Sequence, residues 1–133
     1  MFSSFNLFIV STLFATSALA ASHHPQEFLK RIEGTKNEGE QIVQHFCASC
    51  HASKPMIELG APKMGQSLDW EPRFKQGMQA LLTHTEEGIN AMPARGGCFE
   101  CSDQQLSLAL LFLLPEHLHN LALIELKDHK KSK

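Results

Sequence analysis

The chain lacks any stretch in which apolar and polar residues alternate, so nothing in it reads as a half-buried strand, and the class it predicts is all-α. It lacks a charge excess. Lys+Arg number 12 against 14 Asp+Glu, a formal net charge of -2, which argues against nucleic acid as a partner. It lacks internal repeats and low-complexity segments, which removes solenoids and arrays. With 133 residues it is one small domain, and a core of that size usually benefits from a staple.

Charge is also missing from the start of the chain, where the first charged side chain is Glu27. Phe2 to Ala20 is almost wholly apolar or small, and Ala18-Leu19-Ala20 before Ala21-Ser22 has the form of a small-residue cleavage site. Residues 1–20 therefore read as a secretory signal peptide. The first six residues hold no Lys or Arg, so an uncleaved anchor is the alternative, since the stretch approaches the ~20 residues that span a bilayer. Both readings export the rest of the chain. Residues 21–36 read as a leader and 37–114 as the main domain. Residues 115–133 form a C-terminal extension whose end, Lys127 to Lys133, reads as a frayed, solvated basic tail.

Against this background stands Cys47-Ala48-Ser49-Cys50-His51. C-x-x-C-H is the attachment signature of a c-type haem: two thiols reach the two vinyl groups of one porphyrin, and the histidine ligates iron from one face. A second pair, Cys98 and Cys101, makes zinc or a dithiol redox centre the rival readings. A four-cysteine zinc site usually separates its pairs by roughly 15–20 residues. Here His51 to Gly97 intervenes, long enough to hold helices of its own. An exported compartment suits covalent haem, and there the second pair could be oxidised.

Helical periodicity surrounds the motif. Asn37 to Phe46 predicts a helix with Asn37 as N-cap and Glu38 and Glu40 in the first turn, and Ile42, Val43 and Phe46 form its stripe. Gly39 within it costs about 1 kcal/mol relative to Ala, which suggests the close approach of another backbone. A short helix over Pro25 to Ile32 precedes it. Another is expected from Asp69 to Lys75, with Asp69 as cap, and a longer one from Met78 to Glu87, ending before Gly88. The last helix of the main domain opens with the capping box Ser102-Asp103-Gln104-Gln105, carries Leu106, Ala109, Leu110 and Leu113, and stops at Pro115.

His51 would leave one axial position on iron, and its occupant decides the chemistry. The candidates are Met56, Met64, Met78 and Met92, with His45 and His84 for a bis-histidine site. Met78 lies on a helical stripe and reads as core, Met56 and Met64 are close to His51 in sequence, and the two histidines read as surface residues. Met92 lies in the loop Asn90-Ala91-Met92-Pro93-Ala94-Arg95-Gly96-Gly97, where a thioether can be laid against iron without distorting regular structure. From spacing alone, iron ligand and simple loop anchor both remain open for it.

These residues give the chain a family likeness. It resembles class I c-type cytochromes, and among them cytochrome c5, over about Asn37 to Leu114. The likeness rests on C-A-S-C-H, on G-A-P-K-M-G with D-W-E-P-R, on Q-G-M-Q-A-L-L, and on N-A-M-P-A-R-G-G-C-F-E-C-S-D. It implies about four helices wrapped around one covalent haem c, with thioethers at Cys47 and Cys50 and axial ligands His51 and Met92. It implies that the Pro62 carbonyl receives the free ring N–H of His51, and that Trp70 and Arg73 stand beside the haem propionates. It implies a Cys98–Cys101 disulfide, which over so short a loop removes little chain entropy and would serve to hold the Met92 loop. It also implies that Gly39 and Val43 lie at a crossing of first and last helices, opposite Leu110 and Leu113.

The function expected is that of a monohaem electron carrier in the periplasm, not an enzyme. It would exchange single electrons with redox proteins, membrane respiratory complexes among the candidates, and Lys54, Lys63, Lys75 and Arg95 are candidate steering charges. A haem sensor or peroxidase-like protein with a labile sixth ligand is the alternative. Leu118, Leu121, Ile124 and Leu126 suggest an extra amphipathic helix packed on the domain.

Overall fold

The computed structural model describes residues 24–131, and the expected signal peptide lies outside them. In chain order the helices are α1 (Pro25–Ile32), α2 (Glu38–Ile42), a π turn (Val43–Cys47), α3 (Ala48–His51), α4 (Ser67–Phe74), α5 (Met78–Glu87), a 3₁₀ turn (Ala94–Gly97), α6 (Asp103–Leu113) and α7 (Glu116–Lys131). The only pairing outside helices among the described residues is an isolated bridge between Ile89 and Met92. The all-α expectation therefore holds, with α1 and α7 flanking the core bundle.

The helix expected over Asn37 to Phe46 is longer and less regular than its sequence suggests. It starts at Glu38, passes through the π turn, and continues as α3 to His51. A π turn adds one residue, rotating the next helical segment by about 100° relative to an uninterrupted helix. Ile42 and Val43 are buried in the core, and Cys47, Cys50 and His51 face a cavity that Ile42 also borders. Asn37 makes no side-chain cap; its amide oxygen accepts from Gln41 instead.

Glu38 turns inward. Its buried carboxylate accepts from the Gly34 N–H at 2.8 Å and from Gln105 Nε2 at 3.0 Å. Gln105 also completes the α6 capping box with Ser102, so one side chain both starts α6 and ties it to the head of α2. A buried carboxylate is tolerated only when hydrogen bonds replace its water, and both donors here do so.

The α2–α6 crossing lies at the same end. A Cβ on Gly39 would collide with the Leu108 carbonyl oxygen, and it would stand 2.8 Å from the Leu108 carbonyl carbon and 3.3 Å from the Ala109 nitrogen. The glycine meets Leu108 and Ala109, just before the Leu110 and Leu113 expected opposite it. Leu106, Ala109, Leu110 and Leu113 of α6 join Ile42 and Val43, with Met78, Leu81 and Leu82 of α5 completing the core. From α1, Leu29 and Ile32 are buried against this bundle.

Helix α4 starts at Ser67, two residues before the expected Asp69, and that carboxylate folds back to accept the Lys63 N–H at 2.8 Å. After Pro115, Leu118 and Ala122 of α7 are buried while Leu121 and Ile124 are exposed. Glu125 of α7 accepts the Met78 N–H, supplying the cap that α5 lacks at its own N-terminus. The backbone is helical as far as Lys131, so residues 127–131 of the expected basic tail continue α7, and its last two residues lie outside the described ones.

Because the Gly39 clash is with backbone, no rotamer change relieves it. Gly39→Ala is expected to lower unfolding free energy by at least about 1–3 kcal/mol in urea denaturation, despite the better helix propensity of alanine. A neutral result would mean the helices can separate at the crossing without cost.

Candidate haem site

The π turn and α3 bring Cys47, Cys50 and His51 to the wall of a cavity of about 350 Å³. The wall is mainly apolar: Ile42, Phe46, Leu81, Leu106, Ala109, Leu110 and Leu113 contribute to it. Trp70 and Arg73 come from α4, and Met92, Arg95 and Gly96 come from the loop on the far side in sequence.

The ring of His51 is oriented from behind. Its Nδ1 lies 2.8 Å from the Pro62 carbonyl oxygen, which can only accept, so the ring proton is on Nδ1 and the Nε2 lone pair is free. The loop that makes this contact is itself fastened. Met64 N–H donates to the His51 carbonyl at 2.7 Å, and Trp70 Nε1 donates to the Lys63 carbonyl at 2.9 Å. The indole of Trp70 stacks near the His51 ring, centroids 6.4 Å apart. Its one donor is spent on Lys63, so Trp70 forms wall, whereas Arg73 uses Nη1 on the Asp69 carbonyl and has further N–H groups.

The two cysteine pairs have different fates. Cys98 and Cys101 are joined in a disulfide, while Cys47 and Cys50 are unpaired. Burial, and then the neighbouring Cys50, push the Cys47 thiol up to about 11. A dithiol redox centre depends on the opposite shift, an activated thiolate. A four-cysteine zinc site fails because one pair is oxidised, and among the described residues no cluster of His, Cys, Asp and Glu is arranged to hold a metal ion.

Of the described methionines, Met92 alone contributes to the cavity wall; Met78 is core and Met56 is 85% exposed. Of the histidines weighed beside it, His84 also reaches the wall, which its helical position did not suggest. His45 instead stacks on Phe28. The Met92 loop is built on Gly88. With φ +84, Gly88 ends α5, and a Cβ there would stand 2.7 Å from the Met92 carbonyl oxygen and 2.9 Å from the Ala94 nitrogen. The sequence marks Gly88 as a helix stop and gives no sign of its role as the floor of this loop.

A covalent haem fits what is here. An apolar cavity presents two free thiols at the required spacing beside a histidine with a free Nε2. Arg95 Nε, the buried side-chain donor without a partner among the described residues, belongs to a residue of the same wall, where a group bearing acceptors would meet it.

Comparison with known proteins agrees. Residues 34–113 match the family model described as cytochrome c oxidase, cbb3-type, subunit III. Cytochrome c5 of Azotobacter vinelandii is 38% identical over 79 residues, which cover 58% of this chain and 92% of that protein. Cytochrome c5 of Ectopseudomonas mendocina is 35% identical over 79 residues, 58% of this chain and 87% of that one. Cytochrome c-555 of Chlorobaculum tepidum is 36% identical over 80 residues, 57% and 71% respectively.

The chain belongs to the class I c-type cytochromes. Its cofactor is covalently bound haem c. The matched segment of the cytochrome stops at residue 113, so α7 lies beyond the family model. Of the four candidate steering charges, Lys54 and Lys75 are exposed and Lys63 pairs loosely with Glu58 at 3.7 Å. Arg95 departs from that expectation, because its side chain is turned inward.

Gly88 and Gly34 separate the two costs of adding a side chain. Both have positive φ, but only Gly88 is crowded. Gly88→Ala is expected to destabilise the cytochrome by about 1–3 kcal/mol more than Gly34→Ala in parallel urea denaturations. Equal losses would show that the Met92 loop gives way freely.

Proposed function

We propose that this cytochrome is a periplasmic single-electron carrier whose haem iron is held between His51 and Met92, and that it passes electrons between redox proteins without catalysing a bond change itself. The observation that carries the reading is the shared wall. One cavity has His51, with its Nε2 free, and Met92, the methionine that lines it.

Bound haem supplies a one-electron Fe(II)/Fe(III) couple. The rest is the work of the chain. Cys47 and Cys50 tether the porphyrin as thioethers. The Pro62 carbonyl fixes the His51 tautomer and makes the ring a better donor. The thioether of Met92 favours the ferrous state, and the apolar wall favours it further by disfavouring the extra charge of ferric iron. Arg73 has donors left for a propionate, while Trp70 backs the His51 ring. The Cys98–Cys101 disulfide, shortly beyond Pro93 in the chain, stiffens the approach to α6.

Electrons need an edge to leave by. Leu59 and Ile89 line the cavity and are exposed, and Met56 and Ile57, shortly before Leu59 in the chain, are exposed as well, so the cavity has an apolar rim at Leu59 and Ile89. Such a rim suits brief docking with a donor and then an acceptor. The periplasmic assignment rests on the apolar segment 1–20 and on the compartment in which c-type haem is attached in bacteria. No helix among the described residues is long and apolar enough to cross a membrane.

The test is the absorption spectrum of the ferric holoprotein and of two variants. The weak long-wavelength band of an iron–thioether bond is expected in the wild type and in His84→Ala, and its loss is expected in Met92→Ala. The Met92 variant should also bind carbon monoxide readily when reduced and show a lower reduction potential. A wild type without the band, or a band lost in His84→Ala and kept in Met92→Ala, would contradict the assignment.

A further inference from the structure

The loop that carries Met92 ends in Arg95-Gly96-Gly97, and all three residues have left-handed backbones, with φ +57, +59 and +84. For the two glycines this is ordinary; for an arginine it is strained. Strain of this kind persists where surrounding contacts over-determine it, and Arg95 has such contacts. Its side chain is only 25% exposed. Nη2 donates to the Cys101 backbone carbonyl and, at 3.0 Å, to Asp103 Oδ1. The Arg95 carbonyl in turn accepts the Cys98 N–H at 3.0 Å. Met92 is three residues upstream, and the Gly96 N–H is bonded to the Pro93 carbonyl at 3.0 Å.

The acceptors matter as much as the donor. Cys101 closes the disulfide turn, and Asp103 lies in the first turn of α6, the helix held against α2 at Gly39. One planar guanidinium thus fastens a glycine-rich loop to the disulfide turn and to the first turn of α6. Gly96 and Gly97 bring no side chains that could share the task. Both bonds leave the one nitrogen Nη2, whose planar N–H pair fixes their directions; a lysine ammonium in its place would keep the charge and lose that fixed geometry.

We propose that Arg95 is the positioning residue of the Met92 loop: its bonds to the Cys101 carbonyl and to Asp103 keep the thioether at the iron and the sixth site closed to small ligands. This rests on Met92 being the distal ligand. It replaces the expectation that Arg95 steers partners, and it gives the disulfide a definite use as the abutment for the guanidinium.

Three variants of the holoprotein test it: Arg95→Asn, which tolerates the left-handed backbone and removes the guanidinium, Arg95→Lys, and Asp103→Asn. Carbon monoxide binding to each ferrous protein is followed by stopped flow, and the ferric iron–thioether band is recorded beside it, below the unfolding midpoint of every variant. Arg95→Asn is expected to bind carbon monoxide at least about tenfold faster than wild type, with a weakened band. Arg95→Lys should lie nearer to Arg95→Asn than to wild type, and Asp103→Asn, which leaves the Cys101 acceptor, nearer to wild type. A merely structural role would lower the midpoint and move neither readout. Wild-type rates with an intact band in Arg95→Asn, or in Arg95→Lys should the first not fold, would overturn the proposal. A wild type lacking the band would instead overturn the Met92 assignment and this proposal with it, a failure visible without any variant.

Discussion

The contact on which the rest of this molecule depends is the crossing of α2 and α6 at Gly39, where the backbone of one helix lies on the carbonyl of Leu108 in the other. The two cysteines, His51 and the Met92 loop are strung from those two helices. α2 leads through the π turn to Cys47, Cys50 and His51. α6 is entered from the disulfide turn and, before it, from the Met92 loop. Setting the crossing therefore sets the two walls of the cavity against each other. The buried bond between Glu38 and Gln105 fastens the same corner, and Gln105 spends its other groups on the cap of α6. Packing and polar satisfaction act at one point, so neither can relax alone.

Two identical Cys-x-x-Cys spacings serve opposite purposes because the local backbones differ. Cys47 and Cys50 lie on a helical run and line the cavity, unpaired, with a thiol that burial keeps protonated. Cys98 and Cys101 lie in the turn before α6, buried and joined to each other. The first pair is left free for the proposed thioethers, and the second closes the turn that enters α6.

Much of this architecture was legible in the residues, and the reasons are local. The α6 cap is written in Ser102 and Gln105, the extent of α5 in Met78 to Gly88, and the close approach at Gly39 in the cost of a glycine within a helix. What was not legible depends on partners that lie outside the residue's own helix pattern. Glu38 looks like any first-turn acid until Gln105, 67 residues on, is folded beside it. Asp69 looks like a cap until Lys63 offers its N–H. Arg95 looks like a surface charge until the disulfide turn presents the Cys101 carbonyl, and Glu125 has no role until α7 lies across the start of α5. The π turn is hidden as well, because an amphipathic stripe read at 3.6 residues per turn does not reveal an inserted residue.

The central claim is that the four cysteines are divided between one covalent haem and one disulfide. Intact-mass analysis after thiol alkylation under denaturing, non-reducing conditions tests it most directly, on protein exported with a c-haem maturation system. The predicted result is a chain one haem heavier than its polypeptide with no alkylated thiol, and two alkylated thiols, at Cys98 and Cys101, once reductant is added. A haem-free chain with Cys47 and Cys50 open to alkylation would contradict it.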